Sequence, residues 1–323
     1  MRPNVLALAT AAAVLALGST AAHAQAYPSK PIRIIVPFPP GGFNDILARI
    51  MVQKFTDSGF GQSIVDNRPG AGSTIGADLA AKAPPDGHTI LIVAVPFAVN
   101  ASLYARLPYN TEKDFAGITH AGTTPNLLVV HPSLPVKTVQ DLVTLAKAKP
   151  AQLAYASSGS GTSNHVSMEL FKLMTKVDIV HVPYKGSVPA VTDLIGGHTQ
   201  MIIDNLPNVV QHARAGRLRA VAVTSLKRAA ALPDVPTVDE AGVQGYETIA
   251  WFGAVAPAAT PRDIITRLNG EIGRMLLLAD VRERFSAVGV DAVGGTPEQF
   301  DALIRSEVAK WARVVKAAGA RVD

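Results

Sequence analysis

Ile32-Arg33-Ile34-Ile35-Val36-Pro37 runs into Phe38-Pro39-Pro40-Gly41-Gly42 and then into Asn44-Asp45-Ile46-Leu47-Ala48-Arg49. β-Branched residues favour the buried, pleated surface of a strand, Pro and Gly stop it, and Asn or Asp opens the helix that follows. The same order recurs far downstream: Leu153-Ala154-Tyr155-Ala156, then Ser157-Ser158-Gly159-Ser160-Gly161-Thr162-Ser163, then a helical pattern from Val166 to Met174. Working outward, strands are expected over 32–37, 62–65, 89–95, 127–130, 179–182, 201–203, 220–223 and 250–255. Helices are expected over 139–148, 190–195, 261–278 and 297–318. Short apolar runs alternating with longer helical periods define an α/β class, with parallel strands covered by helices. The last helix carries Phe300, Leu303, Ile304, Val308, Trp311 and Val315 on one face, so it packs against a lobe.

A Gly-rich turn before a helix leaves backbone N–H groups unpaired at the positive end of the helix dipole, and the missing side chains let an anion approach. Two such turns on different lobes, facing each other across a cleft, could each hold one end of a small dicarboxylate. The alternative is that the glycines merely allow tight turns. Asp45 reads as a helix cap or a ligand contact, and His165 is equally open. Asp204-Asn205 either closes a pocket wall or begins a turn, while Trp251 and Phe252 face the cleft or fill the core.

The chain has 323 residues, which suits two ordinary domains, with 48% hydrophobic and 17% charged residues, enough to bury a core. A formal charge of +5 is spread along the chain and forms no basic stripe, so no nucleic-acid partner is expected. Zero cysteines exclude disulfides, thiolate metal sites and a Cys nucleophile. The eight histidines form no ligand motif, Ser160 lacks the nucleophile-elbow spacing, and no Gly loop is followed by a phosphate-binding lysine. Gly70 to Gly76 is one residue too long for the dinucleotide fingerprint. No metal, cofactor or catalytic residue is therefore expected.

Arg2, an apolar run over 5–17, and Ala22-His23-Ala24 have the layout of a cleaved secretory leader over 1–24, with a cut after Ala26 as the alternative. The apolar run is shorter than the roughly 20 residues needed to span a bilayer. A periplasmic protein is the expectation.

Taken together, Tyr27-Pro28-Ser29-Lys30-Pro31, Pro39-Pro40-Gly41-Gly42 with Asp45, Asn67-Arg68-Pro69-Gly70-Ala71-Gly72, Pro85-Asp86-Gly87, Ser158-Gly159-Ser160-Gly161-Thr162 with His165, His181-Val182-Pro183-Tyr184-Lys185-Gly186 and Pro233-Asp234-Val235-Pro236-Thr237 are specific. The chain resembles the Bug family, the extracytoplasmic substrate-binding proteins of tripartite tricarboxylate transporters, over nearly its whole length after the leader. The resemblance implies a two-lobed periplasmic-binding-protein fold of type II, with two crossovers and a mixed sheet flanked by helices in each lobe. It implies lobe 1 over 25–124 and 229–323 and lobe 2 over 125–228. It implies a monomeric receptor that captures a small carboxylate and delivers it to a membrane permease with a large and a small subunit. Carried over by position, Phe38, Gly41, Gly42 and Asp45 form one loop, Ser158, Gly159, Ser160, Gly161 and Thr162 with His165 the other, and Asp204 part of the wall. Phe43-Asn44 stand where many relatives have small residues, and Ser73-Thr74 replace a more usual Gly-Asn. Phe43 beside the seat suggests an aromatic acid, or else packs on its own helix. The weaker alternatives are an exported hydrolase using Ser160 with His165, and a carboxylate sensor for a two-component system.

Overall fold

The computed structural model describes residues 27–321. The expected leader over 1–24 lies outside the described residues. The first sheet is built from β1 (Ile32–Val36), β2 (Ser63–Asn67), β3 (Thr89–Ala94), β9 (Ile249–Pro257) and the first part of the long strand β4 (Phe115–Val130), in the order β2-β1-β3-β9-β4. β1 is parallel to β2 and β3, whereas β9 runs antiparallel to both β3 and β4. Short β10 (Asp291–Ala292) adds to β4. Helices α1 (Phe43–Asp57), α2 (Thr74–Ala81), α3 (Val95–Leu103), α8 (Arg262–Leu277), α9 (Ala279–Ala287) and α10 (Pro297–Ala318) cover this sheet.

The far end of β4 leaves β9 and enters a second sheet. Leu127 to Val130 pair antiparallel with β7 (Met201–Asn205) and with β8 (Arg219–Val223). β5 (Ala154–Ser157) then lies parallel to β7 and to β6 (Val180–Pro183). Helices α4 (Val139–Ala148), α5 (Ser163–Thr175), α6 (Ser187–Ile195) and α7 (Leu206–Arg214) flank it. Each lobe is thus a mixed sheet with helices, and β4 is the first crossover.

The first sheet has a core centred on Ile34, Leu47, Val93, Phe252 and Phe300. The second has cores on both faces, one around Tyr155, Phe171 and Ile203, the other around Leu127, Ile202 and Val209. Val238, Val243 and Tyr246 are buried in the second lobe. We therefore propose that the chain returns to the first lobe at Ile249 instead of at 229, because apolar area buried against one core fixes a segment to that lobe.

A buried polar network sits where the two strands cross. Thr224 Oγ1 accepts from the Asn126 N–H at 2.8 Å and donates to the Thr248 carbonyl at 2.6 Å. Ser167 Oγ donates to Thr248 Oγ1 at 2.8 Å and accepts from Asn126 Nδ2 at 3.1 Å. Among the described residues, no helix is long and apolar enough to cross a membrane.

Candidate functional site

Both Gly-rich turns reach one cleft. A cavity of about 50 Å³ is lined by Phe38, Gly42 and Asn44 from one lobe and by Ser158, Thr162, Ser163 and Asn164 from the other, with Ser187, Asn205 and Asn208 closing it. A pocket of about 440 Å³ adjoins it between Phe38, Gly72, Gly159, Tyr184 and Lys185. Five helices begin at the small cavity. The N-caps of α1, α3, α5, α6 and α7 are Gly42, Ala94, Thr162, Gly186 and Asn205, and all five line it. First-turn N–H groups have no acceptor within their own helix, so this wall offers many donors and the positive ends of five dipoles, with no charged side chain among the described residues lining it.

The two turns are built alike. Gly41 and Gly161 have φ of +95° and +80°, a left-handed geometry that a Cβ disfavours. Each is followed by an N-cap residue, one further helical residue, an asparagine, and then a side chain that turns back: the Gly41 N–H donates to Asp45 Oδ2 and the Gly161 N–H to His165 Nδ1, both at 3.1 Å. Asp45 also takes Arg49 Nε at 2.9 Å and Asn67 Nδ2 at 3.0 Å. Burial alone would raise this carboxyl, but the bonds from Arg49, Asn67 and Gly41 outweigh it and hold it below its ordinary value.

Behind the second turn three rings stack. His181 lies 4.3 Å from His165 and 4.8 Å from Tyr155, nearly parallel to both. His181 Nε2 and Ser157 Oγ are 2.6 Å apart, and Ser157 Oγ accepts from the Gly159 N–H at 3.2 Å. Burial, with a smaller push from His165, lowers His181 to about 3, and burial likewise lowers His165. The imidazoles are therefore neutral props for the loop backbone.

The structure places the expected residues in three groups. Phe38, Gly42, Phe43, Ser158, Gly159 and Thr162 line the cleft pockets. Gly41 borders a side pocket against Val188. Asp45, Gly161, His165 and Asp204 are buried and outside the lining, and Ser160 is half-buried and also outside it. Asp204, expected in the wall, has no exposed surface; it accepts from the Asn205 N–H, Ser187 Oγ and Asn208 Nδ2, tying the starts of α6 and α7 together. Burial raises its carboxyl. Phe43 is 2% exposed, its ring 4.6 Å from Phe252 and 5.1 Å from Phe285, so the ring belongs to the core and is not free to lie against a ligand ring. Trp251 and Phe252 are core residues. Ser160 and His165 make no hydrogen bond to each other; the His165 Nδ1 is taken by Gly161.

Sequence reading passed over Asn164, Ser187 and Asn208 and gave no site role to Asn44 or Ser163, all of which line the cavity; Asn205, read as pocket wall or turn, lines it too. The signal was positional: Asn44 and Asn164 each stand two residues past an N-cap, where a side chain flanks the free amides.

Two lobes joined by crossing strands, with helix starts from both converging on one cavity, define the class of two-lobed solute-binding receptors. Within that class, the chain matches the family model described as tripartite tricarboxylate transporter family receptor (TctC) over 47–320, and it belongs to that family. It is 40% identical over 301 residues to protein BugT of Bordetella pertussis, covering 93% of this chain and 92% of BugT. An R. palustris structure, Rpa4515 with adipate, superposes with a TM-score of 0.88 at 38% identity, covering 92% of this chain and all of that one. MatC from Rhodopseudomonas palustris with bound malate gives 0.85 at 30% identity, over 90% of this chain and all of that one.

Proposed function

We propose that this receptor captures a small organic carboxylate, above all a dicarboxylate, in the periplasm and hands it to the two-subunit membrane permease of its transporter. The observation that carries the reading is the convergence of five helix N-termini from both lobes on one cavity that, among the described residues, no charged side chain lines. A carboxylate held there is neutralised by oriented N–H groups and hydroxyls, which bind an anion strongly once water is excluded. Lys185, at the edge of the larger pocket, is the cation placed to meet a second carboxylate. The adipate and malate held by two similar structures support the substrate class, and the leader-like sequence supports export. Phe38, Gly42, Ser158, Gly159 and Thr162 supply the seat, and Gly41 shapes the turn that carries it. Asp45, Ser160, Gly161, His165 and Asp204 hold its shape, and the carboxylate leaves unchanged, with no chemical step on the protein.

A thermal-shift screen of ligand-free protein against mono-, di- and tricarboxylates tests this. A ligand at about 100 times its Kd stabilises the native state by about 2.7 kcal/mol, a shift of several degrees in a chain of this size. No shift with any carboxylate sinks the reading.

A further inference from the structure

We propose that Asn44 is a specificity residue that reads a hydroxyl on the ligand, so that the preferred substrate is a hydroxy-substituted carboxylate. This rests on the carboxylate reading above. The two turns place an asparagine at the same helical position on opposite sides of the cavity, and the two asparagines have different fates. Asn164 is anchored at one end: its Oδ1 accepts from Ser158 Oγ, while its buried Nδ2 has no partner among the described residues. Asn44 is not. It is 8% exposed and lines the cavity, its Oδ1 is fully buried with no hydrogen-bond partner, and its Nδ2 donates to no protein group.

A buried amide oxygen without a donor is costly; no described residue donates to Asn44 Oδ1, and the unpartnered Asn164 Nδ2 stands on the other side of the cavity. A carboxylate cannot satisfy it either, because an ionised carboxylate only accepts, and the helix-start amides already suit that role. The unmet group is therefore a hydrogen-bond donor on the ligand, close to the carboxylate seated on α1. Hydroxyl and ammonium both donate, and the charge of the site separates them. The cavity is ringed by the positive ends of five helices, Asp45 is saturated by Arg49, Asn67 and Gly41, and Asp204 is sealed behind the wall. With no anion facing it, an ammonium is repelled there. A hydroxyl carries no charge, and because it both donates and accepts it satisfies the carboxamide whichever end it meets.

The test is titration calorimetry on ligand-free protein with matched pairs: succinate and malate, glutarate and 2-hydroxyglutarate, adipate and 2-hydroxyadipate, with aspartate as the ammonium control. At the chain length that binds, the hydroxy acid is expected to bind at least tenfold more tightly than its parent. Asn44→Ala should remove that preference by weakening the hydroxy acid at least tenfold more than its parent, and Asn44→Ser, which keeps a hydroxyl at the position, should restore part of it. Circular dichroism and Tm confirm that each variant folds. A wild-type preference for the parent acid, a preference for aspartate over malate, or equal weakening of both members of a pair in Asn44→Ala overturns the assignment to Asn44 while leaving the carboxylate seat standing. Binding of no acid at all overturns both.

Discussion

At the scale of single residues, the first loop depends on one carboxylate that touches no ligand. Asp45 holds the Gly41 N–H, Arg49 and Asn67 at once, and Asn67 also donates to the Phe38 carbonyl at 3.2 Å, so the loop is laced to β2 through this group. Asp45→Ala removes a buried acceptor shared by three donors, of which Asn67 is half-buried and Gly41 and Arg49 are exposed, a loss of about 1–3 kcal/mol. It should lower Tm by several degrees and weaken carboxylate binding at least tenfold, read by calorimetry. Unchanged binding would mean that the loop keeps its shape without Asp45. The sign of the pH effect follows from the direction of the shift. The folded carboxyl lies below the ordinary 3.8, so its stabilisation is complete above that value and is lost as pH falls through the lower folded value. His181 works over a wider window. Its folded value of about 3 lies below the ordinary 6.5, so stability is full above pH 6.5 and declines as the unfolded chain takes up the proton that the folded chain refuses. Urea midpoints should fall between about pH 7 and about pH 4, and His181→Gln should flatten that slope.

At the scale of elements, the strand, Gly turn and helix succession was readable because it is local: residues 32–49 and 153–174 contain their own start and stop signals. The crossover strand was legible only from Leu127 onward. Its first part, Phe115 to Asn126, contains Thr119, His120, Gly122, Thr123, Thr124 and Pro125, which read as loop, and it is a strand because β9 pairs with it over nine residues. Helix α3 was hidden for a similar reason, since Val95 and its apolar neighbours continue the pattern of buried β3. For the site, the glycines were conspicuous and Asn44 stood out only as a departure from relatives, whereas its pairing with Asn164 depends on two helices that begin far apart in the chain and meet at one cavity. That Phe43 serves the core was also beyond reach, because its partners Phe252 and Phe285 are distant in sequence. If the positive ends of helices are what bind, then a fixed negative charge placed at one of them should compete with the ligand. Val188, in the first turn of α6 and 55% exposed at the cavity rim, is the place to put it. Val188→Glu is expected to leave Tm unchanged within about a degree or to raise it, because an acid suits a helix start. It should weaken carboxylate binding at least tenfold, with Val188→Gln near wild type. Equal loss in both variants would point to shape, not charge.

At the scale of the whole molecule, closure and folding rest on different contacts and can be separated. The second turn touches the first lobe: a Cβ on Gly161 would stand 2.7 Å from Leu103 Cδ2 and 2.8 Å from the Asn100 Oδ1, both on or beside α3. The third glycine turn answers from the opposite side, where a Cβ on Gly72 would come within 2.8 Å of the Ser160 carbonyl oxygen. Such spacing is tolerable only without side chains, so the lobes meet through glycine. Gly161→Ala introduces a methyl at a left-handed position and into the facing lobe. The backbone strain costs about 1–2 kcal/mol, and the clash acts only when the lobes approach. At the crossover the relation is reversed. Thr224, Asn126 and Thr248 are buried and bonded to one another away from the cavity lining, so Thr224→Val strips a donor and an acceptor from the folded chain itself, about 1–3 kcal/mol for each group left unpaired. Small-angle scattering and calorimetry on the same ligand distinguish the two. Gly161→Ala should lose most of the ligand-induced contraction and at least tenfold in affinity with a modest drop in Tm. Thr224→Val should lose several degrees of Tm while contracting normally and binding within about threefold of wild type. If both variants bind equally poorly, the crossover network takes part in closure, and the cleft and the strands that join the lobes move as one mechanical unit.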